Sequence, residues 1–335
     1  MSLYAVDAID DAIDATRAFL WPFDRGRWAR LALVVFFVGG SGSLPLRFPG
    51  SASGGPAPGS DPGPGPGPAP PDALPSLGGP ELAAIVGVAA ILGLLALGFA
   101  AVGSVMEFVF VESLRRESVA LRRYWRDRWR QGLRLFGFRA VLGILTVAAI
   151  GLLLIVAVGP LLLGEGGLSL GVLAVAVPVG IAVAAASGLV GGFTTAFVVP
   201  IMIVEDRGLL SAWRRFWPTL TGQWKQYAAY AVLGWILQLV GGIVAGLATL
   251  LAALVVAIPL GLLGLLGAGV LAAAGPVGWV LVGLAAVLFV LALVAIGLLV
   301  GVPVRTFLRY YALFVLGDTN DAFDAIADRR RAVRE

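Results

Sequence analysis

The sequence predicts an all-α, polytopic integral membrane helix bundle of about six transmembrane helices, and three observations carry that prediction. Of 335 residues, 59% are hydrophobic and 13% charged, with a mean hydropathy of +0.95, whereas an ordinary soluble domain carries about 25% charge. Apolar blocks cover residues 29–45, 82–111, 135–163, 169–204, 228–258 and 276–304. Most reach the roughly 20 residues that a helix needs to cross about 30 Å of hydrocarbon. Finally, segments 1–30, 112–139, 205–226 and 305–335 hold 23 of the 24 Lys and Arg residues. Basic connections collect on the cytoplasmic side of a plasma membrane, so both termini are expected there.

Met1–Leu20 carries Asp7, Asp10, Asp11 and Asp14 before its first Arg, which is not the basic-then-apolar order of a cleavable signal. Val6, Ile9, Ile13 and Leu20 recur at three-to-four spacing and predict an amphipathic helix lying on the surface or docking a protein. The first apolar block is interrupted by Gly39, Gly40, Gly42 and Pro45. Residues 49–80 follow with GPAPGSDPGPGPGPAPP, which has no apolar side chains to pack and no three-residue collagen period; a disordered exterior loop is expected. The Gly-rich run 260–275, fenced by Pro259 and Pro276, reads as a re-entrant segment or an extension of its neighbours. A seventh crossing there would put Arg305, Arg309 and Arg329 outside.

The basic elbows resemble one another. Trp21, Pro22, Gly26 and Trp28 share the spacing W-P-x-x-x-G-x-W with Trp217, Pro218, Gly222 and Trp224, and Ala120–Trp125 parallels Ala212–Trp217. The matches suggest three helix-pair units with cytoplasmic amphipathic elbows inside a single membrane domain. The units are residues 1–113, 114–205 and 206–316, with 317–335 a cytoplasmic tail. Pro bounds helices and Trp settles at the headgroup level, which is the physical reason for such an elbow.

With no His and no Cys, disulfides, thiol chemistry and the commonest zinc sites are excluded. No nucleophile, base and oxyanion set emerges, so no catalytic residue, cofactor or metal is assigned. Arg122, Arg123, Arg126 and Arg130, interleaved with Trp125 and Trp129, form a patch suited to phosphate headgroups or to topology anchoring; no nucleic acid is expected. Glu107 is the acidic residue deepest in an apolar block. A carboxylate there must pair or face water, so it is a candidate for ion coupling or transport, with Arg115 or another elbow Arg as its partner. Gly188 and Gly192, Gly242 and Gly246, and Gly297 and Gly301 are small-residue pairs able to bring helices together. Pro178, Pro200 and Pro303 suggest kinks or breaks. Asp318, Asp321, Asp324 and Asp328 read as the polar face of a solvated tail.

Tyr4–Ala12, then Ala18–Trp28 and Leu31–Gly40, resemble an uncharacterised haloarchaeal multi-pass membrane family over nearly the whole chain. More distantly, the helix pairs resemble the membrane domain that accompanies some glycerophosphodiester phosphodiesterases. The resemblance implies an archaeal plasma membrane and transfers no catalytic residue.

These readings favour a non-enzymatic scaffold or accessory protein whose partners are membrane lipids and a membrane or cytoplasmic protein. The alternative is a transporter or permease for a small solute or lipid. Protease added outside intact cells should cut between Pro49 and Pro80; cleavage only from the cytoplasmic side would overturn the orientation.

Overall fold

The computed structural model describes residues 4–40, 79–162, 170–274 and 277–335, and every regular element among them is helical. In chain order these are α1 (Tyr4–Leu20), α2 (Arg25–Gly40), α3 (Gly79–Arg115), α4 (Leu121–Leu162) and α5 (Leu170–Phe193). A π-helical turn, Thr194–Val198, leads into α6 (Val199–Val204), α7 (Leu209–Gly222), α8 (Trp224–Ala274), α9 (Val277–Thr319) and α10 (Ala327–Arg334). Five helices among the described residues are long and apolar enough to cross a membrane, all but α2 of the six expected. The predicted exterior loop lies outside the described residues apart from 79–80.

The Arg-rich segments meet at one end of the bundle. Arg334 pairs with Asp11, Arg329 with Glu117 and Arg128 with Asp206, while Arg30 donates to the Val119 carbonyl. At this basic end the interior is dense: Phe108–Val111, Phe197–Ile203, Tyr310–Leu316 and the alanine face of α1 form one core. Phe197 stacks on Phe216 and meets Tyr227 and Tyr230 edge-on, and Tyr230 stacks on Tyr311, joining the π turn to α7, α8 and α9. Away from that end the side chains point outward, Val147 being 72% exposed and Val255 70%. Packing neighbours run α5, α4, α3, α2, α9, α8 as an arc of antiparallel pairs. From Glu107 outward α3 extends about 42 Å, and from Arg139 outward α4 extends about 35 Å. Both lengths are close to a bilayer with its headgroups, about 40–45 Å. The longer α8, about 76 Å, requires tilt or projection beyond the far headgroups.

Several expectations need correction. α8 continues helically through Leu260–Ala274, so this run is an extension of its neighbour and not re-entrant; its backbone groups are thereby satisfied within the helix. α1 buries Ala5, Ala8, Ala12 and Ala15 against α9 and leaves Val6 and Ile13 exposed, because small side chains allow the two axes to approach closely. Trp21-Pro22 lies at the α1–α2 junction, while Pro218 sits inside α7, whose junction with α8 comes at Gln223. α4 is continuous from Leu121, with no break at the second elbow. α5 and α9 run through Pro178 and Pro303. The tail folds: Arg330 binds Asp318, Asp321 and Asp324, and Arg334 binds Asp318 and Asp11. Burial opposes the Arg330 charge, but its hydrogen bond to Asp321 and the neighbouring Asp324 and Asp318 outweigh burial and raise its pKa.

The close helix approaches fall only partly where predicted: of the six paired glycines, Gly301 of α9 meets α2, a Cβ there lying 3.4 Å from Val35. Gly188, Gly192, Gly242, Gly246 and Gly297 have open space around the Cβ position, whereas a Cβ on Gly132 of α4 would come within 2.6 Å of the Val105 Cα of α3. Gly132→Val should therefore destabilise the protein by about 1–3 kcal/mol despite the higher helix propensity of Val. Gly188→Ala should not destabilise it. Thermal melts of both variants in detergent check this, and equal midpoints for Gly132→Val and the parent would refute the contact.

Candidate functional site: a buried ionic cluster and an exposed basic face

Pro200, in α6, follows the π turn and lacks an N–H. In π register, the carbonyl of Thr194 accepts from the N–H of Val199, five residues on. The carbonyl of Thr195 would then look to residue 200, and Pro has no N–H to give. Arg309 supplies the missing donor: its Nη1 reaches the Thr195 carbonyl oxygen at 2.6 Å. The other arm of the same guanidinium, Nη2, donates to Glu107 Oε2. A deleted backbone donor in α6 is thus answered by a side chain from α9.

Glu107 is 3% exposed and receives a second guanidinium, Arg139 of α4, whose Nη2 lies 3.2 Å from Oε1. That Nη2 also donates to Thr195 Oγ1 at 2.8 Å, and the Thr195 hydroxyl donates to the Gly191 carbonyl at 3.0 Å. Thr194 Oγ1 accepts from the Trp213 indole at 3.1 Å. Arg305 lies within electrostatic range of Glu107 and Arg309, and its guanidinium abuts Gly39 so closely that a side chain there would collide with it. One carboxylate and three guanidiniums therefore gather where α2, α3, α4, α5 and α9 converge. A buried carboxylate is tolerated when paired and fully hydrogen-bonded, and both conditions hold here.

Of the expected partners, Arg115 is not among these contacts, whereas Arg139, from the basic segment 112–139, is, and Arg309 joins it on Glu107. The sequence reading did not single out Arg139, Arg305, Arg309 or Thr195. The available signal was opposite charge at matching depth on separate apolar helices. A second layer lies toward the turns. Glu112 binds Arg116 at 2.5 Å and Arg128 at 3.5 Å, and Arg128 also reaches Asp206 at 3.2 Å. The Glu112 hydrogen bond raises the Arg116 pKa, with the Glu112 charge adding to it. Glu117 and Asp206, which follow α3 and α6, both adopt left-handed backbone with φ of 51° and 48°, the conformation that commonly ends a helix.

The predicted headgroup residues lie on α4 at the basic end. Arg122, Arg123, Arg126, Trp129 and Arg130 are exposed, and Trp125 is half-buried against the core. Arg122 and Arg126 make no side-chain hydrogen bond or ion pair among the described residues, whereas Arg116, Arg128, Arg139 and Arg309 all do. Arg130 stacks over Trp129 at 5.5 Å. Trp21, Pro22, Trp217, Pro218 and Trp224 are exposed, and Trp28 is half-buried against Phe23. Among the described residues no group of three His, Cys, Asp or Glu side chains is placed to hold a metal ion.

Residues 3–326 match a family of unknown function, DUF7544, and the chain belongs to that family. No curated protein and no solved structure matches it.

Replacing Glu107 by Gln would leave Arg139 and Arg309 without their counter-charge. The expected loss is about 3–5 kcal/mol, the range for breaking one side of a buried pair. Chemical denaturation of Glu107→Gln measures it, and a loss below about 0.5 kcal/mol would show that the cluster does not hold the bundle.

Proposed function

We propose that this chain is a non-enzymatic scaffold or accessory protein of the plasma membrane. In this reading six transmembrane helices form three repeated pairs, both termini are cytoplasmic, and the basic face of α4 gathers anionic lipid headgroups and positions a membrane or cytoplasmic protein partner. The observation that carries the reading is that Arg122 and Arg126 are exposed and have no partner among the described residues, with Arg130 and Trp129 one turn further along. Arginines used only to stabilise the core are paired, as Arg139 and Arg309 are. A Lys or Arg beside an anionic leaflet contributes about 1 kcal/mol, so Arg122, Arg126 and Arg130 together supply about 3 kcal/mol at low salt. Trp129 has the amphipathic ring that favours the same level.

Glu107 argues against ion coupling, since both of its oxygens are engaged by guanidiniums. The transporter reading draws on one feature, the π turn beside Glu107, because π turns recur at functional sites. Arg309 occupies the Thr195 carbonyl that the turn exposes.

Two measurements on reconstituted protein test the proposal. Brominated anionic lipid should quench Trp129 fluorescence more than brominated zwitterionic lipid does, as read from the difference between the parent and Trp129→Phe. That preference should fall in Arg126→Ala/Arg130→Ala and with added salt. Saturable, substrate-dependent flux or counterflow would contradict the scaffold reading in favour of transport, and equal quenching by both lipids would contradict the headgroup role.

A further inference from the structure

A cleft of about 380 Å³ opens at the basic end where α2 meets the turn into α4, lined by Arg30, Val119, Ala120, Leu121, Arg122 and Arg123. We infer that this cleft is a discrete binding site for one anionic phosphate group, carried by a lipid headgroup or free in solution. The inference rests on the headgroup reading and narrows it from a helix face to a single site.

Three arginines from two separate elements line one concavity of small-ligand size. Their local compensation is slight. Arg30 spends one arm on the Val119 carbonyl at 3.2 Å, Arg123 faces Asp127 at 4.0 Å with both side chains about half exposed or more, and Arg122 has no partner among the described residues. Like charges gathered this closely repel, and the repulsion is relieved by an anion that accepts from several of them at once. Phosphate has the geometry, because each planar guanidinium presents paired donors to its oxygens. α4 also begins at this cleft, so its N-terminal dipole adds to the positive field that the arginines create. Val119, Ala120 and Leu121 give the floor an apolar character suited to glycerol carbons next to a phosphate. The cleft differs from the ionic cluster around Glu107, where every guanidinium has a protein acceptor or abuts a helix end.

The test uses full-length protein in a non-ionic detergent, with binding read by titration and by native mass spectrometry. The probes are phosphatidylglycerol, diacylglycerol with the same chains, and inorganic phosphate alone. The parent should retain one phosphatidylglycerol per chain and bind it at least tenfold more tightly than diacylglycerol. Arg122→Glu/Arg123→Glu should abolish that preference, and Arg30→Ala should weaken it at least tenfold. Arg331→Ala, which removes an exposed charge elsewhere at the basic end, should leave it unchanged. Arg122 and Arg123 are exposed, so their replacement spares the core, and Arg30→Lys serves as the conservative check on Arg30. Competition by inorganic phosphate at equal affinity would assign the site to a free phosphate; failure to compete would assign it to a lipid. Equal binding of diacylglycerol, or undiminished binding by Arg122→Glu/Arg123→Glu, would overturn the inference. A retained single lipid alongside equal quenching of Trp129 would leave the cleft standing and defeat the wider headgroup role; the opposite pattern would defeat the cleft alone.

Discussion

Lipid offers apolar helices little reason to prefer one another over acyl chains, so cohesion in this molecule has to come from somewhere else. It comes from the basic end, where the buried core and the ion pairs gather. There the hydrophobic effect acts on Phe108, Phe197, Phe216, Tyr310 and Phe314, all of them fully buried. There too Glu107 ties α3 to α4 and α9 through two guanidiniums, and Arg309 ties α9 to the π turn. The outer helix segments bury little and are free to face lipid, and their long hydrophobic stretches need only satisfy their own backbones.

Pro200 is the residue on which this convergence turns. In the π register of the preceding turn, its missing N–H leaves the Thr195 carbonyl for Arg309. The same turn places the Thr195 hydroxyl to accept from Arg139. Local backbone chemistry in one helix therefore fixes the side chains of two others. The cluster keeps more positive than negative charge, which suits a position facing the anionic side of a bilayer. The remaining arginines divide by the same logic. Those with acidic or carbonyl partners fold the basic end, while Arg122 and Arg126, on the first turns of α4, are among those that have no partner among the described residues.

The helical class was legible because composition and apolar run length are strong signals, and the grouping of Arg into four segments foretold that those segments would meet. Glu107 stood out for the right physical reason, since a carboxylate at that depth must have a partner. Its partners were hidden, because Arg139 and Arg309 lie 32 and 202 residues away and no local spacing connects them. Helix faces were less legible. Val6 and Ile13 look like the buried side of α1 by size, yet alanines pack closer, and close packing decided the matter. Glycine spacing was a weak guide: Gly301 does meet α2, but Gly132, which meets a neighbouring backbone, belongs to none of the paired motifs, and in a chain with 46 Gly the i, i+4 pattern arises readily by chance. The cleft at Arg30, Arg122 and Arg123 required knowing that α2 and the start of α4 are adjacent, which the sequence does not state.

The account stands on Glu107 and Arg309 interacting directly across α3 and α9. A double-mutant cycle combining Glu107→Gln with Arg309→Gln, read by chemical denaturation in detergent, isolates that interaction. It should return a coupling of about 1–3 kcal/mol, the range for residues sharing one ion-pair network. A coupling indistinguishable from zero would mean that the two helices are held together by something other than this pair.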